Sequence, residues 1–564
     1  MKTFFLVIIA ACCFALVPRL AASEGLDVQL SVPWTDMDGY TPFVVSLASH
    51  AGAGRVELEA ENGNARARLT VDLPAETRVM RTVLLPGLSP GHGSLALHVR
   101  GTIGGKDVDQ TVTATSVVHG FRELDLAVVD PHEDFPLSDA RAAVKSRITG
   151  VTGSPKSGYS YRGTSAGYAD SRLDRIAPEA LPDRWQGYPT WLTVLITPGG
   201  EAELDAEQRA ALATWSTAGG MIFVTEERQL PAWRAAGAHA MVIGATSPAL
   251  IDRIEAVGRV SSFTPSRTPV PGTDRVHVLG FVVLAVLFSI VVGPLNLWWV
   301  RRQNALHLFL ITTPVISLAT CVCLVVVGFL AEGLGTKRSA TQFAILDQAR
   351  ARVVAWTGVS YFSGMSISRI ALDGEDEVLT MDQADFAGHA YYRPGSPFSI
   401  DWGDGQRLSG AVVPARVNRQ LAYVSARPEK RRLILERDGG GWRVINGLGC
   451  AIRELVWLDA RSAGWRCGTL APGAAARMDS LLWTPPATPQ DSERIGLDTT
   501  LAWEAVLPTS GARNAFRAVL DDAFVPVPGP GGSDQSPITT ELIGFLEAPT
   551  SGVNGGDTPV EGAP

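Results

Sequence analysis

Cysteine is scarce. Six residues are spread over 564 positions, and four of them, Cys12, Cys13, Cys321 and Cys323, fall inside apolar runs. No C-x-x-C motif and no Cys/His set with zinc-ligand spacing exists, which excludes a structural zinc module. Only Cys450 and Cys467 remain as a candidate disulfide pair, and sequence spacing cannot fix their geometry. Positive charge is also in deficit: 49 Lys and Arg stand against 57 Asp and Glu, for a formal net charge of -8. With no long basic run, the chain lacks the electrostatic footprint of a nucleic-acid partner. Long charge-free stretches are not lacking, and the rest of the chain is organised around two of them.

From Leu279 to Val300 and again from Leu306 to Ala331 no charged residue occurs. Each run exceeds the ~20 residues that a helix needs to cross a hydrocarbon layer of about 30 Å. Backbone groups in lipid must pair internally, so both runs are expected to be transmembrane helices, over 277–300 and 306–331, with a loop at 301–305. Trp298 and Trp299 mark the interface, and Arg301 and Arg302 follow at once, which by the positive-inside rule places the loop in the cytoplasm. Gly293-Pro294 and Pro314 are expected to kink the helices. Asn296 and His307 lie near the cytoplasmic ends, where interfacial solvation is the expectation rather than a polar contact with a partner helix.

The N-terminus reads as a secretory signal over 1–23. Lys2 precedes an apolar run, Phe4 to Val17, and Ala21-Ala22-Ser23 offers a small-residue cleavage site. Ile9-Ala10-Ala11-Cys12 also resembles a lipoprotein processing box, and an uncleaved anchor is the third option. All three put the following residues outside, and two spans return the C-terminal part to that side. The expected location is a bacterial inner membrane, with both large soluble portions periplasmic.

Gly (57) and Pro (36) are frequent, which favours turn-rich β structure. Residues 24–119 are expected to form an immunoglobulin-like β-sandwich. Val28–Val32, Val56–Ala60, Ala67–Val71 and Leu95–Val99 alternate apolar and polar, and Asn62-Gly63-Asn64 is a hairpin turn. Residues 120–262 change to an α/β rhythm, with strands at Leu124–Val129, Trp191–Ile196, Met221–Val224 and Met241–Ile243. Helices are expected at Ser138–Ile148, from Asp205 to Gly219-Gly220 with Gln208 completing a capping box, and at Pro248–Ala256. A linker at 263–276 leads to the hairpin. Residues 340–525 read as β again, and 526–564 as a Pro/Gly-rich, largely disordered tail in which Glu541–Glu547 offers one last strand. The fold class expected is thus a multidomain α+β membrane protein.

The phrase Leu181-Pro182-Asp183-Arg184-Trp185, the Asp205 helix and Gly219-Gly220 resemble class I glutamine amidotransferase-like domains of uncharacterised bacterial inner-membrane proteins. Gly293-Pro294-Leu295-Asn296 with Arg301-Arg302, Trp442 to Gly449, Leu455 to Asp459 and Leu470 to Gly473 resemble the hairpin and C-terminal part of the same family. Active amidotransferases place a cysteine at a sharp turn after a strand, assisted by a histidine. This chain has no cysteine between Gly120 and Val270, so the resemblance implies the fold without the activity.

No motif assigns a chemistry. Gly163-Thr164-Ser165-Ala166-Gly167 matches G-x-S-x-G, but the polar stretch before it is no buried strand. Gly150–Ser157 is one residue short of a phosphate loop and puts Pro155 where a glycine is required. Asp401-Trp402-Gly403-Asp404-Gly405 lacks the alternating ligands of a calcium loop and reads as a hairpin turn. Asp130, His132, Glu133 and Asp134 follow a strand at the sheet edge where α/β ligands bind, facing Thr225, Glu226 and Glu227. They are the candidate ligands for a divalent metal, with a solvated loop as the alternative reading. No catalytic residue and no cofactor are assigned. The leading expectation is a non-enzymatic envelope protein whose periplasmic domains recognise or assemble with other envelope or inner-membrane proteins. A membrane-tethered hydrolase or metal-dependent enzyme at Asp130/His132 is the rival, and a cell-wall or sugar-binding protein the third reading.

Overall fold

The computed structural model describes residues 21–23, 25–34, 39–62, 65–86, 95–114, 126–143, 173–189, 192–238, 240–244, 247, 250, 270, 278–304, 306–332, 335–380, 398–403, 405–459, 463–481, 515–529 and 538–546. The two motif-like runs at 150–157 and 163–167, the linker at 263–276 apart from Val270, and all but Leu250 of the expected helix Pro248–Ala256 lie outside them. The chain is mixed α+β and strand-rich, with four sheets and two apolar helices long enough to cross a membrane.

The first sheet is antiparallel and takes the strands Ala21–Ser23, Leu26–Ser31, Tyr40–Ser49 and Arg78–Pro86 in that order. The second faces it and has seven strands. Its order is Ile367–Leu372, Gln406–Val413, Phe398–Asp401, Ala65–Leu73, Gly54–Asn62, Leu95–Ile103 and Lys106–Ala114. The alternation read at Ala67–Val71 is strict here, with every second residue of Ala65–Leu73 buried. Three of the seven strands come from beyond the apolar hairpin. Phe398–Asp401 pairs in parallel with Ala65–Arg68, so the sandwich begun by the N-terminal residues is extended by residues some 330 positions later. Position 119 is therefore no boundary of the sheet, a difference the local alternation of Ala65–Leu73 cannot reveal.

The third sheet is wholly parallel, ordered Leu173–Ile176, Leu126–Val129, Thr193–Ile196, Met221–Val224 and Ala240–Val242. Its three central strands are buried on both faces, as a sheet covered on either side requires, and the two edge strands are partly exposed. The expected capping box forms: Asp205 accepts from Gln208 N–H, and Gln208 accepts from Asp205 N–H, starting the helix Ala206–Thr217. The helix expected from Ser138 begins a residue earlier, with Pro136 supplying the first accepting carbonyl.

The fourth sheet has eleven strands and holds the others together. Thr336–Asp347 and Arg352–Ser363 form its longest hairpin, the fourth and third strands from one end. Beside them Ile538–Phe545 runs parallel to Thr336–Asp347 and antiparallel to Ala515–Leu520. The last strand read in the 526–564 segment is thus an interior strand of the largest sheet. Thr540 and Leu542 are fully buried, so this part of the segment is folded, and its Pro/Gly-rich residues connect two neighbouring strands.

One end of this sheet packs Ala340, Val359, Tyr361 and Tyr423 into the sandwich core. Phe343, Ile345, Val354 and Trp356 pack into the core of the α/β unit together with Trp34. Phe516, Trp457 and Leu542 belong to a third cluster that holds the C-terminal strands. Portions before and after the hairpin therefore fold as one body. If the hairpin spans a bilayer, both portions lie on the same side of it, because strands of one sheet cannot be separated by a membrane.

The hairpin is helical over Val278–Ile290, continues through a π-helical turn at Val291–Leu295, and resumes at Asn296–Arg302. Pro294 has no N–H to donate, and the widened turn absorbs the missing bond. A 3-10 turn at Leu306–Leu308 leads into Phe309–Glu332, which contains Pro314.

Candidate functional site

The crevice at the C-terminal edge of the parallel sheet was the sequence's candidate for chemistry. Asp130 ends the strand Leu126–Val129 and is buried. Its oxygens are occupied. Oδ2 accepts the N–H of Phe135 at 2.8 Å, Oδ1 accepts the N–H of Asp134 and the Thr197 hydroxyl, each at 3.2 Å, and Arg175 Nε lies 3.6 Å from Oδ2. Asp130 thus folds the loop back on itself and binds it to the next strand. His132, Glu133 and Asp134 are exposed, and Glu133 takes a left-handed conformation at φ 58°. The structure does not gather these four into a ligand set; among the described residues no group of three or more His, Cys, Asp or Glu is positioned to hold a metal ion.

The facing turn, Thr197-Pro198-Gly199-Gly200, is equally committed. Thr197 caps the helix Pro198–Glu203 by accepting from Gly200 N–H while donating to Val129 O or Asp130 Oδ1. A Cβ at Gly200 would meet Val129 O at 2.2 Å, so only glycine fits. After the strand Met221–Val224, Glu226 bonds Gln229 in a cap and pairs with Arg228, and Gln229 reaches Ile196 O and Glu201.

Sequence reading singled out Leu181 to Trp185 as a phrase but gave none of the contacts that Leu181 to Pro189 makes with distant parts of the chain. Asp183 N–H donates to Thr82 Oγ1 at 3.1 Å, reaching the first sheet. The Arg184 guanidinium lies over the Trp402 ring at 4.8 Å. Trp185 Nε1 donates to Glu375 Oε2 at 3.2 Å and Gln186 Nε2 to the Gly374 carbonyl at 2.6 Å, both beyond the hairpin. Trp34 Nε1 donates to the Gly187 carbonyl at 2.7 Å. At Gly187 a Cβ would meet Pro182 at 2.8 Å and Leu84 at 3.2 Å. Burial pushes the Asp183 carboxyl up and the Arg184 guanidinium down from their ordinary values. The phrase that carried the family resemblance is a joint where three parts of the chain meet.

A second polar knot lies beside it. Asp376 is buried and accepts from Arg427 Nη2 at 2.8 Å and from the Ser425 hydroxyl. Gln406, whose side-chain amide donates to the carbonyls of Asp376 and Asp373, accepts from Tyr40 OH at 3.1 Å, and Tyr40 OH accepts from Val378 N–H at 3.0 Å. Burial raises the Asp376 carboxyl above its usual range even with Ser425 and Arg427 beside it. Every polar group here serves the seam between the sandwich and the large sheet.

In the hairpin, Trp298 and Trp299 are exposed and Arg302 lies over the Trp298 ring at 5.5 Å. Arg301 and Arg302 are exposed at the turn. Asn296 differs from the expectation of interfacial solvation. It is 5% exposed, and its Nδ2 donates to Thr313 Oγ1 on the second helix at 3.3 Å.

Cys450 and Cys467 are not joined. Both are free and buried in one core cluster. Leu455 pairs with Cys467, while Cys450 lies in the bend before the strand Ile452–Leu458.

No family model matches the chain, and no curated protein matches it. Among solved structures, the yeast delta-COP-I mu-homology domain in complex with a Dsl1 WxWxV peptide covers 37% of this chain and 96% of its own length, at 10% identity and a TM-score of 0.18. The same yeast domain alone covers 37% and 95%, at 9% identity and a TM-score of 0.18. At that score neither likeness bears on the fold or the function.

Proposed function

We propose that this chain is a non-enzymatic, membrane-anchored envelope protein of a bacterial inner membrane. A signal at 1–23 directs its soluble portions to the periplasmic side, and these portions recognise or assemble with other envelope proteins. The observation that carries the reading is the pairing of Phe398–Asp401 with Ala65–Arg68, which makes one body of the residues on either side of a two-helix anchor. The occupied Asp130 and the capping role of Thr197 support a scaffold rather than a reacting centre, in keeping with a non-catalytic amidotransferase-like unit.

Binding by strand addition suits the sheet edges. Arg432–Asp438 ends the large sheet and Lys106–Ala114 ends the second. Both edges carry charged residues, which discourage indiscriminate pairing while leaving main-chain groups for a matched partner. Photo-crosslinking amino acids placed along these edges in growing cells test the reading. Position-dependent adducts with discrete envelope proteins are expected. An absence of adducts, together with stoichiometric metal in the purified full-length protein that is lost on His132→Ala and Asp134→Ala, would favour the metal-dependent rival.

A further inference from the structure

Outside the hairpin only three large apolar side chains among the described residues are well exposed: Met365, Val417 and Ile434. Two of the three converge on one point. Met365 follows Gly364, whose N–H donates to the Gly335 carbonyl at 3.3 Å. Val417 follows Arg416, whose N–H donates to the Ser363 carbonyl at 2.7 Å. The Thr336 and Ser363 hydroxyls are 3.1 Å apart. Gly335 is the third residue after Glu332, where the second apolar helix ends, so it lies no more than about 11 Å from that helix end. A headgroup layer is about 5–7 Å thick on each side of the hydrocarbon.

Charge at this rim runs against the rest of the molecule. The three segments 335–341, 359–369 and 413–420 contain neither Asp nor Glu, in a chain whose net charge is -8. Arg369 and Arg416 are exposed and Lys337 is half-buried, whereas Arg419 is buried and the Arg338 guanidinium donates to the Val527 carbonyl. Exposed apolar tips among Lys337, Arg369 and Arg416, beside a helix that ends in Glu332, match an anionic phospholipid surface.

We infer that the paired turns around Met365 and Val417 rest on the bilayer from which the second helix emerges, with the two apolar side chains in the headgroup layer and the basic rim against anionic lipid. The large sheet then stands on the membrane with Thr336–Asp347 and Arg352–Ser363 rising from it, and the body has a fixed orientation instead of swinging on its anchor. This inference rests on the reading of the hairpin as membrane-spanning.

Full-length protein with Cys321 and Cys323 replaced by alanine, reconstituted into vesicles containing phosphatidylglycerol, tests it. An environment-sensitive fluorophore is attached in turn to Met365→Cys, Val417→Cys, Ile434→Cys and Leu318→Cys. Ile434 lies on the edge strand seven strands from Thr336–Asp347, and Leu318 is exposed within the second helix. The expected result is several-fold stronger quenching by headgroup-labelled spin lipids at 365 and 417 than at 434, weakening when phosphatidylcholine replaces the anionic lipid. Mid-chain spin lipid should quench 318. Quenching at 318 with 365 and 417 no different from 434 overturns the rim contact and leaves the anchor standing. Equal quenching in phosphatidylcholine overturns the role of the basic rim. Failure at 318 overturns the membrane reading and this inference with it.

Discussion

Trp402 donates its indole N–H to the carbonyl oxygen of Leu84 at 3.0 Å, and its own backbone N–H reaches Arg68 O at 2.8 Å. One residue beyond the hairpin thus ties together a strand of the first sheet and a strand of the second. Trp402 is 1% exposed and packs edge-on against Tyr40, with ring centroids 5.6 Å apart. Replacing it with Phe strands the buried Leu84 carbonyl, at a cost of about 1–3 kcal/mol. Replacing it with Ala opens a cavity and costs about 3–5 kcal/mol. Urea unfolding of the full-length protein in detergent should rank the two in that order.

The same seam makes a prediction about pH. Because the Asp376 carboxyl titrates above its unfolded value, the folded chain holds the proton more tightly than the unfolded one. Its contribution to stability is fully present below the ordinary carboxylate range and is lost as pH rises through the raised folded value. The melting temperature of the natural protein minus that of Asp376→Asn should therefore grow as the pH falls from neutral into the acid range. A difference that shrinks over that interval would contradict burial as the dominant influence.

At the α/β crevice, Asp130→Ala removes the acceptor for two backbone N–H groups, Thr197 and Arg175. Breaking a buried, paired charge of this kind costs about 3–5 kcal/mol. His132→Ala, at an exposed position, should stay within about 0.5 kcal/mol. Equal effects of the two in thermal unfolding would mean that Asp130 does not anchor the loop.

Between the two helices, Asn296 and Thr313 should couple. Polar contacts between helices in a membrane are worth about 0.6–2 kcal/mol. A double-mutant cycle of Asn296→Ala and Thr313→Ala in micelles should return a coupling energy in that range. Additive effects would contradict a bond between them.

Local chemistry was readable from the chain. The charge-free runs marked the helices, the alternation of Ala65–Leu73 marked a half-buried strand, and Asp205 with Gln208 marked a helix start. What escaped was partnership. The burial of Ala65 and Ala67 says that a strand has one covered face, and nothing in those residues says that Phe398–Asp401 lies beside it. Asp130 looked like a ligand because a carboxylate after a strand is equally what a metal needs and what a folded-back loop needs. Asn296 looked like an interfacial residue because its distance from the run's end, not its partner Thr313, is what a sequence displays. The Leu181–Pro189 phrase stood out as a pattern, while its contacts to Thr82, Trp402, Glu375 and Trp34 span up to 218 positions, as the Arg184–Trp402 contact does.

The claim on which the rest depends is that strands on either side of the hairpin share one sheet. Arg66 and Ser399 are register partners in the parallel pair, exposed and half-buried respectively on its outer side. Neighbouring strands lie about 4.8 Å apart. A variant carrying Arg66→Cys and Ser399→Cys, with Cys321 and Cys323 replaced by alanine, should form a cross-link in intact spheroplasts treated with a membrane-impermeant oxidant. Moving the first cysteine to Asp72, six residues along the strand and about 20 Å away, should abolish it. Cross-linking at 72 but not at 66, or none at either position in folded protein, would contradict the shared sheet and the common side of the membrane that follows from it.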